Sequence, residues 1–120
     1  LDQCQNITMR DVTAQTLSLN RSEVQAERLR LINTNTAIMC VGGRLEVTLL
    51  TVRAPQIFQL DNCLLDIAGA NLNANISLGT STRVSTLAFS LSTLVLNERS
   101  WPMHRNFYRV SGPLDNLLAP

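Results

Sequence analysis

The stretch Leu45-Glu-Val-Thr-Leu49 places an apolar residue at every second position, and this alternation returns along most of the chain. A period of two is typical of a β-strand with one face buried and the other exposed. Similar apolar pairs follow one another at intervals of roughly ten residues, which is the spacing of short strands joined by turns. These pairs are Ile7 and Met9, Leu17 and Leu19, Leu29 and Leu31, Ile38 and Cys40, Phe58 and Leu60, Leu65 and Ile67, Ile76 and Leu78, and the triplet Leu87, Phe89 and Leu91. The pattern therefore predicts an all-β protein.

Two all-β architectures fit strands of this length and spacing. In a β-solenoid, which resembles a parallel β-helix, each coil of the chain stacks on the previous one, whereas the strands of a β-sandwich run back and forth in two sheets. Sandwich cores usually contain several aromatic residues, but only Phe58 and Phe89 precede residue 100 here. Asparagine is frequent between the strands, and identical amides can hydrogen bond along a stack of coils. We therefore predict a β-solenoid of short irregular coils, with the β-sandwich as the alternative.

Length and composition indicate one folded domain. The chain has 120 residues, of which 45% are hydrophobic and 16% are charged, and a domain of this size can bury one core. We expect a single β-rich domain over residues 1–120, with a strand-rich body up to residue 97 and an irregular C-terminal cap or interaction segment over residues 98–120. The formal charge of +1 gives no electrostatic reason to expect nucleic-acid binding. The absence of a long apolar run predicts no transmembrane segment.

Two longer segments pose a choice between strand and helix. Ser22–Gln25 has the form of a helix capping box. The apolar residues that follow it do not recur at helical spacing, so we expect a short strand, a turn and a second strand up to Leu31. Val84–Leu96 is long enough for a helix, but its apolar residues alternate with small or hydroxylated ones. This alternation favours one long strand.

The three cysteines, Cys4, Cys40 and Cys63, allow at most one internal disulfide. No two of them have the spacing of a zinc knuckle or a redox motif, and His104 is far from all three in sequence. We therefore expect no metal site and no cofactor. The best candidate disulfide joins Cys4 to either Cys40 or Cys63 and would hold the N-terminal end in place, and the alternative is cysteines buried as free thiols.

No set of catalytic residues is recognisable in the sequence. A polysaccharide lyase or hydrolase built on a solenoid needs several acidic residues on one exposed sheet. Asp61 and Asp66 are the closest acidic pair among the expected strand residues, and their odd separation places them on opposite faces of an unbroken strand. The Val-Gly-Gly-Arg segment that ends at Arg44 is typical of a turn rather than of a phosphate loop. We therefore expect a protein that is not an enzyme.

Residues 100–109, Ser-Trp-Pro-Met-His-Arg-Asn-Phe-Tyr-Arg, break the strand pattern. They contain three of the five aromatic residues and the single histidine of the chain. Aromatic and arginine side chains are typical of binding hot spots, because they combine a large contact area with polar groups. The alternative role is a cap over an open end of the sheet, since unpaired strand edges promote aggregation. The candidate binding residues are Trp101, His104, Arg105, Phe107, Tyr108 and Arg109.

These features favour a non-catalytic structural or adhesive binding module of an extracellular or cell-envelope assembly. The N-terminal two-thirds of the chain resembles the irregular β-helical repeats of secreted bacterial adhesins in its Leu-x-Leu pairs and its turns rich in Asn and Thr. We expect a secreted, periplasmic or cell-surface protein that binds a protein partner or associates with itself, with glycans and lipids as further candidate ligands. The alternative function is a carrier of lipid or another hydrophobic ligand on an apolar sheet face.

Overall fold

The chain winds into a β-solenoid of about 4 turns, described for residues 1–33 and 35–118 by a computed structural model. Strands make up 74% of the structure. They are β1 (Ile7–Ala14), β2 (Leu17–Asn20), β3 (Glu23–Ile32), β4 (Thr36–Val41), β5 (Arg44–Arg53), β6 (Gln56–Asp61), β7 (Leu64–Ala68), β8 (Asn71–Ala74), β9 (Ser77–Ser90), β10 (Ser92–Leu96), β11 (Arg99–Met103) and β12 (Asn106–Pro113), and a 3-10 helix (Leu114–Leu118) follows. Among the described residues, no helix has the length and apolar character needed to cross a membrane. The predicted all-β solenoid is therefore confirmed, and the β-sandwich alternative is wrong.

Parallel pairing between successive coils builds three faces. On the first face β2 pairs with β4, β4 with β6, and β6 with the first half of β9. The second face consists of the first halves of β1, β3 and β5, followed by β7 and the second half of β9. The third face consists of the second halves of β1, β3 and β5, followed by β8 and β10. Residues that hydrogen bond between neighbouring coils are mostly 20 to 22 positions apart, so one coil takes about that length.

Aliphatic side chains from all three faces fill the interior. The most completely buried of them are Leu19, Leu29, Leu31, Ile38, Leu45, Leu50, Ile57, Leu60, Leu65, Ile67 and Leu72. Most of these residues belong to the apolar pairs seen in the sequence. Burying one such side chain stabilises the fold by roughly 1.5–3 kcal/mol. The alternation therefore holds the coils together because it delivers one apolar side chain to the interior at every second position.

The corner between the second and third faces is a column of residues in the left-handed conformation, with φ between 50° and 65°. Its members on successive coils are Asp11, Arg28, Leu49, Gly69 and Leu91. A left-handed residue bends the strand and keeps its own side chain outside, so Leu49 is 50% exposed and Leu91 is 79% exposed. The inward alternation expected through these two leucines is therefore wrong. It restarts one residue further on, at the fully buried Leu50.

The C-terminal end of the solenoid is covered by an antiparallel cap. β12 pairs with β9 on the first and second faces, and β11 pairs with β10 on the third face. These pairs occupy the outer edge of the last coil. The cap expected from the sequence is thus present, and it consists of two strands, of which β12 has an irregular register, and a 3-10 helix.

Two local expectations need correction. The segment from Ser22 to Leu31 contains one strand, β3, which bends at Arg28 without a separate turn. The segment from Val84 to Leu96 is not one long strand, because β9 ends at Ser90 and β10 begins at Ser92. The corner column explains both results, since a single left-handed residue changes the face of the coil without breaking the pairing on either side.

The disulfide joins Cys40 to Cys63, with Cα atoms 6.3 Å apart, and Cys4 is a free cysteine. The expected pairing of Cys4 is therefore wrong. Cys40 lies on β4, and Cys63 follows β6 on the next coil, which brings the two side chains together inside the corner. Gly43 keeps this space open, because a Cβ there would lie 3.0 Å from the Cys40 Sγ atom. Cys4 instead donates a hydrogen bond from Sγ to the Asp2 carbonyl oxygen at 3.3 Å.

We expect the unfolded but unreduced protein to expose one reactive thiol, that of Cys4, and the reduced protein to expose three. The bonded cysteines are 23 positions apart, and closing a loop of that length stabilises the folded state by about 3 kcal/mol. Reduction should therefore lower the midpoint of denaturant unfolding. Thiol titration in denaturant checks the count, and a Cys4→Ser variant should give no reactive thiol before reduction. Three thiols before reduction, in protein prepared under oxidising conditions, would contradict the pairing.

Candidate functional site

The candidate site lies in the C-terminal cap, between β11, β12 and the 3-10 helix. Register pairs Trp101 with Leu94 and Pro102 with Thr93 across β10 and β11. β11 is the edge strand of its stack, and an edge strand tolerates proline because one side of its backbone needs no partner. The cap is also tied to the body through Asp115, whose Oδ1 accepts a hydrogen bond of 2.6 Å from the Leu78 backbone N–H.

Phe107 connects the cap to the interior of the solenoid. Its side chain is buried, and its ring packs edge-to-face on Phe89 with centroids 6.2 Å apart. Phe89 in turn packs on Phe58 with centroids 6.3 Å apart. Edge-to-face contacts of this kind stabilise by roughly 0.5–1.5 kcal/mol beyond the buried area. This aromatic row, Phe58, Phe89 and Phe107, fixes the position of β12 against the last coil.

Two arginines stack on aromatic rings of the cap. The Arg99 guanidinium lies 4.8 Å from the centroid of the Trp101 ring. The Arg105 guanidinium lies 5.0 Å from the centroid of the Phe107 ring. Within residues 1–33 and 35–118, neither guanidinium takes part in an ion pair. Both cations therefore keep their hydrogen-bond donors available for an anionic group.

An open cavity of about 400 Å³ lies beside these stacks and is mostly apolar. Its lining includes Trp101, Met103, Phe107, Leu117 and Leu118, together with Arg99 and Arg105. The Trp101 Nε1 atom is buried and has no hydrogen-bond partner among the described residues. A buried N–H without an acceptor destabilises the structure that contains it. The cavity thus combines apolar walls with two cations.

The structure brings together three of the six residues predicted for this site, Trp101, Arg105 and Phe107. His104 lies outside the cavity, and its Nδ1 accepts a hydrogen bond of 3.1 Å from the Leu91 backbone N–H. Tyr108 is 67% exposed on β12, and Arg109 has a left-handed backbone with φ of 56° where the register of β12 shifts. These three residues do not line the cavity.

The sequence reasoning missed several residues of the cavity. They are Arg99, Pro102, Met103, Leu117 and Leu118. Arg99, Trp101 and Met103 alternate along β11, and that period was a usable signal. No sequence pattern links Leu117 and Leu118 to β11. Between β11 and the 3-10 helix, the chain first crosses two faces of the solenoid as β12.

Asp61 and Asp66, the acidic pair considered in the sequence, do not come together in a second site. Asp61 at the end of β6 forms a two-point hydrogen-bonded ion pair with Arg83. The hydrogen bond first, and the charge of Asp61 second, raise the pKa of the Arg83 guanidinium above its ordinary value. Asp66 lies exposed on β7, on a different face of the coil. In the described part of the chain, no group of three or more His, Cys, Asp and Glu side chains is placed to hold a metal ion.

Comparisons with models of protein families, with curated proteins and with solved structures gave no match. The residues of the cap and the filled solenoid beneath it are therefore the features that bear on function.

Proposed function

We propose that this protein is a non-catalytic structural and binding module of an extracellular or cell-envelope assembly, and that its C-terminal cap holds the partner. The observation that carries the proposal is the pair of arginine–aromatic stacks around an apolar cavity. Arginine and tryptophan are the residue types that dominate binding energy at protein interfaces. The filled interior of the solenoid supports a rigid platform on which such a surface is presented.

The chemistry of the cap favours a partner that offers a carboxylate beside an apolar group. Arg99 and Arg105 present two cations without ion-pair partners in residues 1–33 and 35–118. Each is held over a ring, so a bound carboxylate meets a guanidinium whose side chain is already ordered. The apolar cavity accepts the neighbouring side chain. An acidic protein segment fits both features.

The disulfide between Cys40 and Cys63 supports placement outside the cytosol. Disulfides persist in oxidising compartments and are rare in cytosolic proteins, where thiols are kept reduced. A secreted, periplasmic or cell-surface location is therefore part of the proposal.

We expect Trp101→Ala and Arg105→Ala each to weaken binding at least tenfold, because each removes half of an arginine–aromatic stack at the centre of the surface. The probes are a library of acidic synthetic peptides with one apolar residue beside the carboxylate, and a panel of surface glycans. Affinity is measured by isothermal titration calorimetry, and far-UV circular dichroism checks that each variant keeps its β structure.

Arg44→Ala is the matched control for these variants. Arg44 is an exposed arginine on β5 that pairs with Glu46 at 3.0 Å, away from the cap. Its loss removes the same charge and leaves the cap unchanged, so binding should stay within twofold of the wild-type value. Equal weakening by Arg44→Ala would indicate a general charge effect, and no binding to any probe would count against the cap as a binding surface.

A carrier of lipid or another hydrophobic ligand is the second candidate function. The observation that favours it is the size of the cap cavity, about 400 Å³, which lies within the range of small-molecule pockets. A fatty acid would place its chain against Phe107 and Leu117 and its carboxylate near an arginine. Native mass spectrometry with oleic acid as the probe separates the two functions. A bound acid that competes with the peptides supports the carrier, and peptide binding without acid binding supports the module.

A further inference from the structure

The outer edge of β1 is an open edge at the N-terminal end of the solenoid. β1 pairs with β3 on one side, and no strand within residues 1–33 and 35–118 pairs with the other side. The inward side chains of β1 pack on the core but are only half-buried, namely Ile7, Met9, Val12 and Ala14. The residues in register with them on β3, namely Val24, Ala26, Leu29 and Leu31, are all buried. The edge therefore presents both unpaired backbone groups and an apolar stripe.

The sequence of β1 has a two-fold pattern. Ile-Thr-Met-Arg-Asp-Val-Thr-Ala reads, from either end, as apolar, threonine, apolar, charged. The burial pattern of the strand is the same in both directions, with exposed residues at the two central positions. Those two residues are Arg10 and Asp11, and Asp11 is the left-handed corner residue. The bend at Asp11 resets the alternation, which is why the pattern is symmetric about the point between Arg10 and Asp11.

We propose that a second copy of this chain docks on the β1 edge, antiparallel and head to head, to form a two-fold symmetric dimer. Pairing centred between Arg10 and Asp11 places each Arg10 opposite the Asp11 of the other copy. It also places Thr8 opposite Thr13, Met9 opposite Val12, and Ile7 opposite Ala14. The apolar residues therefore meet on the inward face of the strands, and the threonines meet on the exposed face. Opposite charges and matched apolar pairs directly across an antiparallel pair are stabilising.

The triangular shape of the coil allows this pairing on both sides of the corner. A two-fold axis that passes the corner between Arg10 and Asp11 exchanges the second and third faces, so the first half of β1 meets the second half in the other copy. Antiparallel closure of a coil is already present in this molecule, where β12 and β11 pair with β9 and β10. An isologous contact also removes both open edges at once and cannot extend into a fibre.

Charge complementarity favours a second copy over an unrelated strand. The Arg10 side chain is 74% exposed, and its Nε atom lies 3.7 Å from Glu27, so its two terminal nitrogens have no ion-pair partner in the described part of the chain. The Asp11 side chain is 63% exposed and holds Arg28. A strand of an unrelated protein could pair with any arrangement of charges along β1. Only pairing with a second copy requires a pattern that is the same from either end, and β1 has such a pattern. The inference does not rest on the proposed function, because it concerns the opposite end of the solenoid.

Charge exchange at the centre of β1 tests the dimer. The wild-type protein should sediment in analytical ultracentrifugation at about twice the chain mass of 13.3 kDa. Arg10→Glu and Asp11→Arg each place like charges opposite one another, so each should raise the dimer dissociation constant at least tenfold. The double variant Arg10→Glu/Asp11→Arg restores opposite charges and should dimerise again. An equimolar mixture of the two single variants should form a mixed dimer for the same reason.

Controls separate this interface from the cap and from misfolding. Far-UV circular dichroism and thermal melting verify the fold of each variant, and Trp101→Ala should leave the dimer unchanged. A wild-type protein that stays monomeric up to its solubility limit overturns the proposal. A dimer that ignores both charge reversals, or that Trp101→Ala dissociates, overturns it as well because another surface then holds the copies together.

Discussion

We expect Gly79→Ala to destabilise the protein by more than about 4 kcal/mol, or to prevent folding, which is the exceptional range for a single substitution. Gly79 is in register with Phe58 on the neighbouring coil and has a φ of +124°, a conformation that L side chains rarely adopt. A Cβ at this position would lie 1.8 Å from the Phe58 carbonyl oxygen and 2.8 Å from the Phe58 backbone nitrogen. Backbone atoms cannot move aside as a side-chain end can, so β6 and β9 must separate.

Gly112→Ala is the matched control for this prediction. Gly112 also has a positive φ, of +76°, but nothing lies within 4 Å of its Cβ position. Its substitution should cost only the strain of an L residue at positive φ, about 1–2 kcal/mol. Urea unfolding followed by circular dichroism measures both variants. A Gly79→Ala protein that folds within 1 kcal/mol of the Gly112→Ala protein would show that the first-face coils tolerate separation at this point.

The stacking of coils was predictable because it depends on a local property. Residues such as Leu19, Leu45 and Leu65 alternate with polar neighbours, and all three are buried in the interior. Alternation reports which side chains share a face, independently of where the neighbouring coil lies in the sequence. The scarcity of aromatic residues in the body was also informative, since it favoured a narrow interior that leucine, isoleucine and valine can fill.

The corners were not predictable, because ordinary residues occupy conformations that usually indicate glycine or asparagine. Arg28 and Leu49 have a positive φ at the corner between the second and third faces. Their strand pairing on both sides stabilises a conformation that each would rarely adopt alone. The sequence signal at Leu49 is that of an inward leucine. The inward position expected for Ile76 is also wrong, because Ile76 is exposed just before β9 begins.

The candidate site could be predicted from composition, but only in part. Trp101 and Phe107 are recognisable because aromatic residues are rare elsewhere in the chain, and Arg105 is recognisable because it lies between them. The pairing of Cys40 with Cys63 and the approach of Leu117 to Trp101 depend on contacts between residues distant in sequence. Such contacts follow from the length of each coil, and that length varies between neighbouring coils. Without a fixed repeat length, residues on different coils cannot be aligned by counting.

We expect Phe89→Ala to destabilise the protein by about 3–5 kcal/mol, the range for deletion of a buried aromatic side chain. Phe89 is the middle of the aromatic row, because it contacts Phe58 in the body and Phe107 in the cap. The loss removes both edge-to-face contacts and leaves a cavity where the cap meets the last coil. The free energy of unfolding is measured by urea denaturation, and Tyr108→Ala, an exposed aromatic on the same cap, should change it by less than about 0.5 kcal/mol.

The cap should loosen more than the body in the Phe89→Ala variant. The Phe89 backbone N–H donates a hydrogen bond of 3.0 Å to the Arg105 carbonyl oxygen, and this bond depends on β12 staying packed against β9. With the Phe107 ring no longer held, amide hydrogen exchange in β11 and β12 should accelerate more than exchange in β4 and β6. Uniform acceleration along the whole chain would mean that cap and body unfold as one unit, and the aromatic row would then stabilise the solenoid without separately fixing the binding surface.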